Sequence, residues 1–346
     1  MTIQGSKATA ARNLTLTADD EIKLLAARNT AEQHSTNKNR SASVGIGFAL
    51  GGTQNGFTIQ AGVSGGKGQA NGTDLAWSNT HVEAGNLLAF ESGGNTTLRG
   101  AVARGEQVIA NVGKDLTIES LQDLSTYDSK QKSLGASVSL CILPFCVGAT
   151  PVSGSVSASA SKVNSDYASV TEQSALRAGG GGFDVKVKND TDLKGGAITS
   201  TQQAIDDNKN AFHTDGTLTL SDIDNKASYS AKSASINIGT GFSAAGALVP
   251  QGTSMGFGKD SGSASSTTRA AISGIAGNTN ARTGDAETGI QPIFDQTKVQ
   301  KEIDAQTKIT QMFGQLAPKA AADFAKTQAD NLRGRREQRS RREEMG

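Results

Sequence analysis

At 346 residues with 36% hydrophobic side chains, the chain is long enough for a sizeable buried core, and its 41 glycines bring the apolar class near the globular norm. A formal net charge of +1 removes any global electrostatic case for nucleic-acid binding. Only 4% of residues are aromatic and 5 are proline, while Ser, Thr, Asn, Ala and Gly abound, which argues for thin, regularly turned β-structure over a thick mixed core.

The opening residues, Met1 to Lys7, hold no apolar core of signal-peptide length, so no export signal is expected in this chain. Leu14-Thr15-Leu16 then begins a strand skeleton that returns as Leu116-Thr117-Ile118 and Leu218-Thr219-Leu220, each interval being 102 residues. The turn Thr126-Tyr127-Asp128-Ser129-Lys130 keeps step with Ser228-Tyr229-Ser230-Ala231-Lys232 at the same offset. After each skeleton comes a strand alternating large and small residues: Ser43 to Leu50, Ala136 to Leu140, and Ser235 to Phe242. Shorter echoes lie between, at Val82 to Asn86, Asn95 to Ala101, Leu176 to Gly179 and Asp192 to Ala197. The repeat therefore reads as about five rungs of roughly twenty residues, the scale at which solenoids stack.

A single rung of three short strands cannot bury its inner face, whereas stacked rungs line a continuous aliphatic column and leave Thr, Ser, Asn and Lys in water. This predicts an all-β solenoid over 1–258, with the Thr of each Leu-Thr-Leu pointing outward. The chain begins without an obvious cap, which suggests a segment of something longer. A Gly/Ser/Thr-rich connector is expected over 259–291, with Ile272, Ile275 and Ile290 docking parts of it. From 292 to 346 helix is expected: Val299, Ile303, Ile309, Met312, Phe313 and Leu316 share one face, Pro318 ends it, and a second helix from Ala320 runs into an Arg-rich end. Interleaved Glu makes that end read as a solvated helix terminus.

The candidate chemistry is sparse. Asp184 and Asp192, or Asp206, Asp207, Asp215, Asp222 and Asp224, are the acids a β-helical hydrolase would cluster, but Asp206-Asp207 and Asp222-x-Asp224 flank turn-rich sequence, where Asp bonds its own backbone, and no enzyme activity is expected. His34, His81 and His213 lie far apart and read as surface turn residues; no metal or cofactor is expected. Gly62 to Gly68 lacks the Ser/Thr that follows a P-loop lysine, and Gly179 to Gly182 has no phosphate-binding context. The apolar run Leu140 to Ala149 contains Pro144 and is half the length of a membrane helix; its Cys141 and Cys146 fit small core residues or a local disulfide better than a metal. Tyr127, Lys130, Tyr229 and Lys232 recur one repeat apart, forming either a receptor-facing ladder or, for the tyrosines, packing over a solenoid corner.

The Leu-Thr-Leu strand, the Tyr-x-x-Lys turn and the Gly/Ser-rich alternating strand resemble the haemagglutinin repeats of two-partner-secreted exoproteins, including filamentous haemagglutinin adhesins and contact-dependent growth inhibition toxin-delivery proteins. Residues Ala271 to Phe294 resemble the segment that follows the second repeat block there. The resemblance implies a right-handed parallel β-helix, secreted and displayed at the bacterial surface after passage through an outer-membrane transporter. It also implies engagement of a receptor or envelope on the target cell, while the net charge of +1 gives no reason to expect a nucleic-acid partner. Counterparts of the family's secretion domain and C-terminal toxin are not expected within this sequence. The alternatives are an adhesin segment and a structural spacer.

Overall fold

Alternating aliphatic residues in short strands bounded by Gly, Asn and Asp favour a chain that turns every few residues and stacks on itself. The computed structural model, which describes residues 1–49, 55–147, 151–285 and 289–312, has that form through six coils. The first face is a parallel sheet of Thr2–Gln4, Ile22–Leu25, Thr96–Arg99, Leu116–Glu119, Thr191–Lys194 and Leu218–Ser221. The second and third faces merge into one sheet, because Ala101–Val112 and Ala175–Val187 each run round the corner between them. On the first face the register stacks Ile3, Leu24, Leu98, Ile118, Leu193 and Leu220 in one column. Val82, Ala103, Leu176, Ile198 and Ile272 stack on the second, and Leu16, Phe90, Ala110, Val185 and Phe212 on the third. These columns meet in one buried core.

The alternating strands are not rungs. They form three long antiparallel hairpins, Ala27–Ala49 with Asn55–Ser78, Gln122–Val147 with Val152–Val170, and Ile223–Phe242 with Leu248–Thr268, which lie side by side in a single six-stranded sheet. The expectation of five rungs per repeat is thus corrected: one repeat is two coils plus a hairpin, since about half its residues leave the coil. The equivalence of the three Leu-Thr segments changes too. Leu116 and Leu218 share the first face two coils apart, through Thr191, while Leu14 lies on the third face against Leu88, and Ile22 holds the place matching Leu116.

Each hairpin leaves from the same corner, in the second, fourth and sixth coils. The first, third and fifth coils turn that corner on Gly5, Gly100 and Gly195, all at positive φ. Leu25 is level with Arg99 and Thr80 with Ala101, so the first hairpin stands where the next coil has Gly100 alone. Buried hydroxyls lock the second hairpin's base: Ser120 Oγ donates to Gly195 O (2.7 Å), Ser174 Oγ to Glu119 O (2.7 Å), and Ala101 N–H to Ser174 Oγ (3.1 Å).

Strand Leu248–Thr268 runs across the boundary expected at 258, and residues 259–268 pair with the preceding strand. Beyond it, Ile272 is buried, Ile275 is exposed, and Ile290 N–H donates to Ser169 Oγ (2.9 Å). A helix follows over 296–312. Its buried stripe is Val299 and Ile303, whereas Ile309 and Met312 are exposed. Past Ile303 the contact is carried by Gln306, Thr307 and Thr310, because the surface beneath is glycine and serine rather than an apolar groove. Phe313, Leu316, Pro318, the second helix and the Arg-rich end lie outside the described residues.

Candidate functional site

Strand alternation gives the hairpin sheet two chemically different faces. One carries small polar residues in register: Ser129, Gln131, Ser133, Gly135 and Ser137 on one strand face Val163, Ser161, Ser159, Ser157 and Ser155 on the next. The helix over 296–312 rests on this face, with Val299 and Ile303 packed on Val163 and Ala231. Phe294 lies against both Tyr127 and Tyr229, with ring centroids 5.5 and 5.8 Å away. Gly256 and Gly258 let the helix approach; a methyl group at either would collide with its backbone. The helix also covers one edge of the sheet, since Phe257 N–H donates to Thr310 Oγ1 (2.7 Å) and Lys259 N–H to Gln306 Oε1 (2.9 Å), filling donors an edge strand leaves open. Burial, followed by the negative charge of Asp260, holds the Tyr229 hydroxyl above the ordinary tyrosine range.

The opposite face carries no such cover in the described residues. Lys130, Lys162, Lys232 and Lys259 stand level on four neighbouring strands. One row further out, Lys38, Lys67 and Lys132 stand level on three, and Arg40 follows beside Gly65 and Leu134. All eight side chains are exposed. Towards the hairpin ends the same face turns apolar. Val44 (81% exposed), Ile46 (77%), Val63, Leu134, Val138, Leu140, Val156, Ile238, Phe242 and Leu248 all show large exposed area. Phe48 and Phe57 pair edge to face at 5.0 Å across the first hairpin. Exposed apolar side chains in this number, on adjacent strands, mark an interaction surface rather than ordinary surface scatter.

Tyr127 and Tyr229 therefore stand on the helix-covered face, and Lys130 and Lys232 on the open one, because three residues along a strand reverse the side-chain direction. Cys141 is disulfide-bonded, and the side chain of Cys146 lies outside the described residues. The acids are dispersed: Asp184 pairs with Lys186 (3.0 Å), Asp207 with Lys209 (2.9 Å), Asp215 with His213 (2.8 Å), and Asp222 accepts from Ala270 N–H (2.8 Å). Asp192 lies on the first face of the coil, Asp206 ends the short helix Gln202–Asp206, and Asp224 accepts from Thr267 Oγ1 (3.3 Å). His34 meets Asn71 and His81 meets Glu172, so the histidines do not converge, and among the described residues no group of three or more metal-ligating side chains forms. Gly62 to Gly68 lie within a hairpin strand, and Gly179 to Gly182 make the corner inside Ala175–Val187. Sequence reading missed the lysine rows, for neighbours within a row are 27 to 70 residues apart and only the cross-strand register brings them level.

With this geometry in hand, the comparisons with known proteins are specific. The hemagglutinin repeat family model matches residues 1–135. The chain is 38% identical over 337 residues, 91% of its length, to the Deoxyribonuclease CdiA of Dickeya dadantii. Over an alignment of 338 positions covering 92% of the chain it is 37% identical to the Toxin CdiA of Escherichia coli, and over one of 348 positions covering 95% of the chain it is 35% identical to the tRNA nuclease CdiA of Escherichia coli strain NC101. It spans only 10% of the length of each of these three relatives. Residues 1–135 thus match the hemagglutinin repeat, and nearly the whole chain is similar to a segment that CdiA toxins carry.

Proposed function

We propose that this chain is a non-enzymatic part of a secreted, cell-surface exoprotein and that it contacts the envelope of a target cell during toxin delivery. The observation that carries this reading is the open face of the hairpin sheet, a large apolar and basic surface built on a coil that buries its own core without it. A spacer has no need of such a face. Alignment of nearly the whole chain with a protein named Toxin CdiA supports the delivery context. The nuclease activities named in other relatives belong, in this reading, to parts of those proteins outside the aligned tenth. Export through an outer-membrane two-partner transporter and recognition of a target-cell outer-membrane component complete the proposal.

The test is binding of the fluorescently labelled chain to intact Gram-negative cells, beside an unrelated β-helix of similar charge. Saturable binding above that control is the expected result. A folded chain that binds no better than the control overturns the reading and leaves a spacer; selective binding to host cells instead would favour an adhesin.

A further inference from the structure

Two rows of lysines meet an apolar band on one sheet face, and the combination has a chemical meaning. Like charges directly opposite one another on neighbouring strands destabilise a sheet. Here four ammonium groups stand abreast, and three more stand abreast in the adjacent row. On the coil, by contrast, Lys7, Lys23, Arg99, Lys186, Lys194 and Lys209 each pair with a carboxylate. Among the described residues one ion pair forms in the lysine rows, between Lys130 and Asp128 at 3.5 Å. From the row of Lys130 outward this face holds no acidic side chain among the described residues. Two shallow concavities, of about 710 and 850 Å³, open among these lysines, one bounded by Phe257 and the other by Leu134. Folding alone gains nothing from such an arrangement.

Distances set what fits. Strands about 4.8 Å apart place the four-lysine row across about 14 Å. Beyond the cations, the apolar rows from Leu134 to Leu140 and from Ile236 to Phe242 extend six residues, about 20 Å. A ligand complementary to this face carries several negative charges in a plane and long hydrocarbon on one side of it. One leaflet of a bilayer, whose hydrocarbon is about 15 Å deep, has that layout.

Resting on the envelope-contact reading, we propose that the open face of the hairpin sheet binds an anionic lipid surface, with Lys130, Lys162, Lys232, Lys259, Lys38, Lys67 and Lys132 on the headgroup phosphates and the apolar hairpin ends among the acyl chains. The basic band sets the depth, as cationic side chains do at a membrane interface. The helix over 296–312 lies on the other face and leaves this one clear.

The experiment uses the full chain and vesicles of phosphatidylcholine alone or mixed in equal parts with phosphatidylglycerol, read by flotation. Binding is expected to the anionic vesicles and to weaken as salt rises from about 0.1 M to about 0.5 M. The variant Lys130→Gln, Lys162→Gln, Lys232→Gln, Lys259→Gln is expected to lose binding by about tenfold or more, since each lysine near an anionic surface contributes severalfold. A charge-matched control on the coil, Lys114→Gln, Lys186→Gln, Lys188→Gln, Lys209→Gln, keeps the Arg-rich end as well and is expected to bind as the parent does. Val44→Ser with Ile46→Ser is expected to weaken vesicle binding while leaving the salt dependence in place. Equal binding to neutral vesicles, equal loss in both lysine variants, or self-association through this face measured by light scattering would each overturn the proposal. A chain that binds cells but ignores anionic vesicles refutes the lipid assignment and leaves envelope contact standing. One that binds these vesicles but not cells does the reverse.

Discussion

Gly100 shows how much a single position decides. It turns the third coil at φ +65°, and a Cβ there would lie 2.5 Å from the Cβ of Ala26, where the first hairpin departs. Gly100→Ala is therefore expected to destabilise the coil by about 1–3 kcal/mol, read as a lowered thermal midpoint. In the column beside it, Leu98 is fully buried between Leu24 and Ile118. Leu98→Ala should cost about 2–5 kcal/mol, while truncating the exposed Val44 should leave the midpoint unchanged within error. Tyr229 gives a pH signature. Its raised pKa means that the packed state favours the neutral hydroxyl, so the stability it contributes is fully present below the ordinary tyrosine range and is lost as pH rises from there through the raised value. Tyr229→Phe should flatten that alkaline loss of thermal stability, and an unchanged slope would show that Tyr229 is not its source.

At the scale of the element, the helix over 296–312 is a strap held by two aliphatic residues and a few hydroxyls. Val299→Ala with Ile303→Ala should release it, exposing amide protons of Ser254 to Asp260 to exchange while the coil strands stay protected. The hairpins explain why some elements were legible in sequence and others were not. Leu-Thr-Ile at 116 and Asn-Thr-Thr-Leu at 95 announce coil strands because aliphatic residues alternate with polar ones, and the structure places both in the first sheet. Ser43 to Phe48 and Ser235 to Phe242 announce strands equally well. Alternation fixes which side chains share a face but says nothing about whether the partner strand lies in the next coil or across a turn. The same limit hid the lysine rows. Lys130 and Lys232 stood out through the repeat, but Lys162 and Lys259 fall on the return strands, where no repeated motif marks them.

For the whole molecule, the corner geometry makes the hairpins separable from the rod. Replacing residues 26–79 by one glycine should rebuild the second coil in the likeness of the third, because Leu25 and Thr80 already sit level with Arg99 and Ala101. The expected product folds cooperatively with its coil spectrum intact and a narrower hairpin sheet; a collapse of the β signal on circular dichroism would show that the hairpins hold the rod together. The likeness to hemagglutinin-repeat proteins was legible from the repeat and its turn, since the matched region and the long alignments cover the segments that carry them.

One hairpin for every two coils also has a geometric logic. Successive coils are separated by the same interval, about 4.8 Å, that separates strands in a sheet. A hairpin is two strands wide, so two coils advance the rod by the width one hairpin occupies. If every coil carried one, neighbouring hairpins would overlap; if every third did, a gap would open between them. At the observed ratio the lateral sheet and the rod grow in step, and each added repeat widens the outer surface without straining the joint beneath it. The molecule behaves as a rack with evenly pitched teeth, whose contact area scales with repeat number while the chemistry of each tooth remains free to vary.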